Sequence, residues 1–117
     1  MSDRPLRIAA IGDLHCTKES AGHLRPIFEQ ASARADVLLL CGDLTDYGTA
    51  EEAQVLAKEL SVMKHPIIAV LGNHDHESGT PEKVTQILCE AGLRVLDGDS
   101  VVVGDVGFAG VKGFCGG

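Results

Sequence analysis

Aromatic side chains are scarce in this chain: its 117 residues hold three Phe, one Tyr and no Trp, 3% of the total. That poverty argues against a base-stacking surface for nucleic acid, which needs several rings in a row. Positive charge is scarce too. Ten Lys and Arg face 17 Asp and Glu, a net charge of −7, so steering to nucleic acid or to an anionic membrane by bulk charge is excluded. Long apolar runs are missing as well. Ile8-Ala9-Ala10-Ile11 is cut by Gly12-Asp13, short of the roughly 7–15 apolar residues of a secretory signal. No segment reaches the roughly 18 apolar residues of a membrane span. The cysteines at 16, 41, 89 and 115 form no Cys-x-x-Cys pair. That is a poor disulfide framework, and free thiols in a reducing cytoplasm are expected.

What remains is an ordinary globular mix, 44% hydrophobic and 23% charged, in a length that suits one domain over residues 1–117. With so few rings, the core must come from Leu, Val, Ile and Ala. Three short apolar runs, Arg7 to Ile11, Val37 to Cys41 and Ile67 to Leu71, are each stopped by a glycine, at 12, 42 and 72. Their β-branched content and lack of alternation predict parallel strands covered on both faces. Between them lie helical stripes: Leu24, Ile27, Phe28 and Ala31; Ala53, Leu56, Ala57 and Leu60; Val84, Ile87, Leu88 and Ala91. Thr49 with Glu52 reads as a capping box, Thr80-Pro81 as a helix start and Gly92 as a left-handed stop. The expected fold is α/β, a βαβαβα layered unit with right-handed crossovers. After it, Leu93 to Leu96, Ser100 to Val103 and Val106 to Gly110 predict short strands that extend the sheet or begin another.

The chemistry sits directly after the apolar runs. Gly12-Asp13-Leu14-His15 follows the first, Gly42-Asp43-Leu44-Thr45-Asp46 the second and Gly72-Asn73-His74-Asp75 the third. Asp13, Asp43 and Asn73 recur at a constant step of 30 residues, the length of a βα unit. Parallel strands end on one edge, where open α/β sheets bind ligands, so these side chains should converge. Asp13, His15, Asp43 and Asn73 offer carboxylate, amide and imidazole donors, a set suited to Mn, Fe or Zn. Carboxylates forced together repel unless a cation joins them. Asp43, in the middle cluster and with two oxygens, is the geometric candidate to bridge two ions. His74 should lie at the rim and protonate a leaving alkoxide or stabilise phosphoryl charge, with Asp75 holding its tautomer. Asp-x-His and Gly-Asp are weak alone, because Gly-Asp after a strand is common turn chemistry, and the moderately rare Gly-Asn-His-Asp also reads as a polar turn. The trio in this order is a strong joint signal.

In this combination, Asp13-x-His15, Gly42-Asp43-x-x-Asp46 and Gly72-Asn73-His74-Asp75, the chain resembles the calcineurin-like metallophosphoesterases. The resemblance implies an α/β/β/α sandwich, of which this chain spans about the first half. It also implies hydrolysis of phosphodiesters or phosphomonoesters of small molecules, with a dinuclear metal centre and a bridging hydroxide as nucleophile. On that pattern Asp43 bridges the ions, Asp13 and His15 hold the first, Asn73 holds the second, His74 assists the leaving group and Asp46 is a supporting residue. The family pattern continues with a lone His and then Gly-His-x-His. After Asp75 the only histidine is His76, so the chain reads as an N-terminal fragment with an incomplete site.

The other candidates carry less. His23, His65 and His76 read as surface or loop residues, Cys16 as a small loop filler and Cys41 as an inert strand end. Glu51-Glu52 is explained by the helix dipole. Gly110 to Gly117 lacks the spacing of a phosphate-cradling loop. Two rival functions stand beside the hydrolase: a non-catalytic scaffold or interaction module on the same fold, and a flavodoxin-like phosphate binder. The scaffold draws on the missing ligand set, whereas the binder lacks a glycine-rich loop opening a helix. A half-domain should also leave apolar surface bare, from which self-association is expected.

Overall fold

The computed structural model describes residues 5–76, 79 and 81–110. Its strands and helices are β1 (Ile8–Ile11), α1 (Arg25–Arg34), β2 (Val37–Cys41), α2 (Ala50–Leu60), β3 (Ile67–Val70), α3 (Pro81–Glu90), β4 (Arg94–Val95), β5 (Asp99–Val103) and β6 (Val106–Gly110). Short 3-10 turns stand at Lys18–Ser20 and Asn73–His76. The four strands β1 to β4 form one parallel sheet in chain order, with Ile8 beside Val37 and Leu38 beside Ile67. Adding each strand on the same side with one crossover hand lays all three helices on one face. Consistently, α1 packs on α2 and α2 on α3. The second half of the chain does both things expected of it: β4 extends the sheet, and β5 with β6 forms a separate antiparallel hairpin.

Period-two alternation divides the strand side chains between two cores. Ala9, Ile11, Leu38, Leu40, Ile67 and Ala69 face the helices and pack with Phe28, Ala53, Leu56, Leu60, Val84 and Leu88. Val37, Leu39, Ile68 and Val70 face the other way, toward Leu96 and the hairpin residues Val101, Val103 and Phe108. This second layer is partial, which corrects the expectation that both faces are covered. Ile8 on β1 is 45% exposed, and Cys41, expected to be shut inside a strand end, is exposed as well. The reason is topological: the helices occupy one face, and a two-stranded hairpin is too narrow to cover four strands on the other.

The helix boundaries follow local chemistry. The Thr49–Glu52 capping box is present, with Glu52 N–H donating to Thr49 Oγ1 at 3.2 Å and Thr49 N–H to Glu52 Oε1 at 3.2 Å. Gly92 ends α3 at φ +97°, whereas Thr80 lies outside the described residues. The stripe of α1 is narrower than expected, since Phe28 is buried but Ile27 is 45% exposed. Two buried acids hold chain ends in place. Asp36 accepts from the Arg7 amide at 2.9 Å, tying the start of β1 to β2. Glu59 on α2 accepts from the amides of Leu24 and Arg25, both at 3.1 Å, and so caps α1 from its neighbour. Burial alone would raise the Glu59 carboxyl. The amides of Gly22, Leu24 and Arg25 and the Arg25 guanidinium outweigh it and hold the group below its ordinary value.

Candidate metal centre

Past their last paired residues, β1 and β2 keep running side by side. The amides of His15 and Cys16 donate to the carbonyls of Asp43 and Leu44, both at 2.9 Å, and Asp46 N–H returns to the Cys16 carbonyl at 3.0 Å. This ladder aligns the first two polar clusters at the carboxyl edge of the sheet. The third is brought in by Gly72. A Cβ on that residue would overlap the amide and carboxylate of Asp43, so only glycine lets β3 turn this close. Asp13, His15 and Asp43 themselves adopt left-handed backbone, at φ +54°, +46° and +49°. That conformation is sterically costly for any residue with a side chain, and Asp, Asn and His tolerate it best.

The result is a compact donor set. One ligand atom from each of His15, Asp43 and His74 can be chosen so that all lie within 4.8 Å of one another. Ion–donor bonds of about 2.0–2.2 Å need only slight closure of that triangle. The two imidazoles meet edge to face, centroids 4.5 Å apart. Asp43 Oδ1 accepts from the His74 amide at 3.0 Å, while Oδ2 lies 4.0 Å from His15 Nε2. Asp13 is at the rim, its side chain 79% exposed and its Oδ1 3.9 Å from His15 Nε2. Asn73 begins the 3-10 turn that carries His74.

Asp46 sits behind both rings. Its Oδ1 is 3.3 Å from His15 Nδ1 and 3.7 Å from His74 Nδ1, and its carbonyl is 2.8 Å from His74 Nδ1. A carbonyl only accepts, so His74 Nδ1 carries the proton and Nε2 is the acceptor nitrogen of the neutral ring. A carboxylate behind a histidine is a common way to orient an imidazole toward a metal. The donor chemistry and spacing therefore fit a divalent cation.

The family description calcineurin-like phosphoesterase matches residues 6–112. The chain belongs to that family. It is also 34% identical over 92 residues to a probable cyclic nucleotide phosphodiesterase of Synechococcus sp., a match covering 70% of this chain and 34% of that protein. The chain thus matches about a third of the length of this curated relative.

Within this phosphoesterase framework Asp75 departs from its expected place beside the His74 ring. Its side chain is fully buried, and Oδ1 accepts from the Thr45 amide and hydroxyl, each at 2.7 Å. Oδ2 accepts from the amides of Leu44 at 3.1 Å and Gly72 at 2.8 Å. Four donors fill the carboxylate, and it staples the loop after β2 to the loop after β3. The position that orients His74 belongs to Asp46 instead. Sequence reasoning passed over Thr45, whose buried hydroxyl is one of those donors. Gly48 completes the staple at φ +72°, where a Cβ would lie 2.6 Å from the Asp75 carbonyl oxygen.

Of the other histidines, His23 and His65 are exposed, and His65 borders a cleft that it shares with residues of α1. His76 is half-buried rather than an exposed loop residue, with Nδ1 2.9 Å from the Gly72 carbonyl, and it lines a cleft with Leu71 and Leu96. Cys16, next to His15 in the chain, is fully buried, and burial pushes its thiol up to about 11. Among the described residues no helix is long and apolar enough to cross a membrane.

Proposed function

We propose that this chain carries the first half of a metal-dependent phosphoesterase site that hydrolyses small phosphodiesters, cyclic nucleotides among them. The observation that carries the reading is the convergence of His15, Asp43 and His74 at the carboxyl edge of a parallel sheet. His15 and Asp43 would hold a first ion with Asp13, and Asp43 and Asn73 a second. Ions held there would act as Lewis acids on phosphoryl oxygens and would lower the pKa of a bound water enough for it to serve as a nucleophile at neutral pH.

The chain's own residues do the rest. Asp46 fixes the His15 ring through Nδ1, which turns Nε2 toward Asp13 and Asp43. The same residue anchors the His74 ring through Nδ1; when the ring is cationic, Nε2 carries a second proton that can pass to the leaving oxygen. Asp75 acts at a distance as a positioning residue, since its carboxylate touches only the loops that present Asp43 and His74. The relative from Synechococcus supports the phosphodiester class.

The test is hydrolysis of bis-p-nitrophenyl phosphate and of a cyclic nucleotide in Mn2+, wild type against Asp43→Ala. Loss of a ligand should cut the rate by about 100-fold or more. Equal rates would remove the assignment. Mn2+ binding that depends on Asp43 without any turnover would favour the scaffold reading.

A further inference from the structure

The chain's one tyrosine stands beside the metal centre, held out to solvent. Tyr47 follows Asp46 directly, and its side chain is 59% exposed, although large apolar side chains elsewhere are mostly buried. Exposure of this kind usually accompanies a loose loop, but here the backbone is pinned. The Tyr47 amide donates to Glu52 Oε1 at 2.8 Å, the Asp46 amide donates to the Cys16 carbonyl at 3.0 Å, and Gly48 lies against the Asp75 carbonyl. A ring on a fixed backbone loses little freedom when something packs against it.

Tyr47 lines a cleft of about 430 Å³ between the loop after β1 and the start of α2, large enough for a small ligand. Asp46 forms the wall it shares with the metal centre, so a substituent of a phosphoryl group held there that reaches past Asp46 would enter here. The lining holds one cation, Lys18, and the exposed carboxylates Glu19 and Glu51. Such an edge accepts hydrogen bonds from amino and hydroxyl groups and repels a second phosphate.

We propose that Tyr47 is the platform on which the leaving group's aromatic ring stacks, so that the cleft selects a nucleoside carrying a single phosphoryl group. The inference rests on the phosphoester reading and specifies what that site prefers. It assigns to Tyr47 discrimination between aromatic and non-aromatic leaving groups, and to Glu19 and Glu51 the donor-bearing edge of the base or sugar.

The composition supplies the readout. With one Tyr and no Trp, tyrosine emission reports on residue 47 alone. Titration with 5′-AMP in Mn2+, corrected against N-acetyltyrosinamide, should quench that emission saturably, and ribose 5-phosphate should not. By equilibrium dialysis, Tyr47→Leu should weaken 5′-AMP about ten-fold and leave ribose 5-phosphate unchanged. Tyr47→Phe should restore 5′-AMP binding, which separates stacking from a damaged fold. Equal quenching by the two phosphates, or unchanged 5′-AMP affinity in Tyr47→Leu, would overturn the proposal. Failure of the phosphoester reading looks different. Orthophosphate would then show no Mn2+-dependent binding, while adenosine alone would still quench if the platform is right and would not if it is wrong.

Discussion

Replacing Asp75 by asparagine separates a staple from a ring-orienting acid. The wild-type carboxylate accepts four hydrogen bonds with its two oxygens, all from buried donors. Asparagine keeps one oxygen and can satisfy the pair of donors on that side. On the other side its amide turns two N–H groups toward donors that need an acceptor. Hydrogen bonds to a charged group are worth roughly 1.5–3 kcal/mol each, so losing two, with donors left facing donors, should cost about 3–6 kcal/mol. That is a large share of the roughly 5–15 kcal/mol that holds an ordinary domain together. In urea, with a slope of about 1–3 kcal/mol per molar, the midpoint should fall by about 2 M. Mn2+ affinity should fall with it even under folding conditions, because Asp43 and His74 sit on the two loops that come apart. An acid that merely held the His74 tautomer would behave otherwise, losing turnover while the urea midpoint stayed put. A midpoint within about 0.3 M of wild type would refute the staple.

Two further predictions concern titrating groups. Glu59 is held below its ordinary value by the amides and guanidinium around it, so its stabilisation is complete above about pH 4.3 and is lost as pH falls through the depressed value. Glu59→Gln should therefore lower stability at neutral pH by about 2 kcal/mol and flatten the acid limb of a stability–pH curve; parallel wild-type and variant limbs would count against it. The Cys16 thiol is raised to about 11, so its contribution holds below about pH 8.5 and fades as pH climbs toward that value. In iodoacetamide at pH 8 the native protein should be modified at Cys41 and Cys89, both exposed, but not at Cys16; mass spectrometry of the peptides reads the result directly.

Much of this architecture is legible in the residues because its strands announce themselves twice. Val37 to Cys41 and Ile67 to Val70 are apolar and β-branched, and a glycine stops the chain just after each. The step from Asp13 to Asp43 to Asn73 then predicts where the clusters land, and the structure puts all three at one edge. What the residues do not disclose is which neighbour takes each polar group. Asp75 adjoins His74 in sequence, but the turn at Gly72 swings its carboxylate inward to the amides of Leu44 and Thr45. Glu59 looks like a solvated helix acid until α1 supplies bare amides in front of it. Cys41 looks buried because its run is apolar throughout, although alternation sends its side chain to the uncovered face. For Asp75 and Glu59 the decision is made by a contact 30 or so residues away, which local pattern does not encode.

Backbone strain gives a view of the site that owes nothing to motifs. Among the described residues, the non-glycine positions with positive φ are Asp13, His15 and Asp43, and all three belong to the candidate metal centre. Each such conformation costs on the order of 1–3 kcal/mol, and glycine would relieve it wherever the side chain were dispensable. Turn geometry alone does not explain the pattern, since Gly42, Gly48 and Gly92 occupy ordinary left-handed positions in the same fold. The strained residues are instead the ones whose carboxylates and imidazole face a common point. A ladder of backbone bonds from His15 and Cys16 to Asp43 and Leu44 holds the two strained loops together, and Asp75 clamps the loop after β3 against them. The staple, the ladder and the strained ligands are thus parts of one device: rigid connections opposing a conformational cost so that donors which would otherwise splay apart stay within reach of a cation.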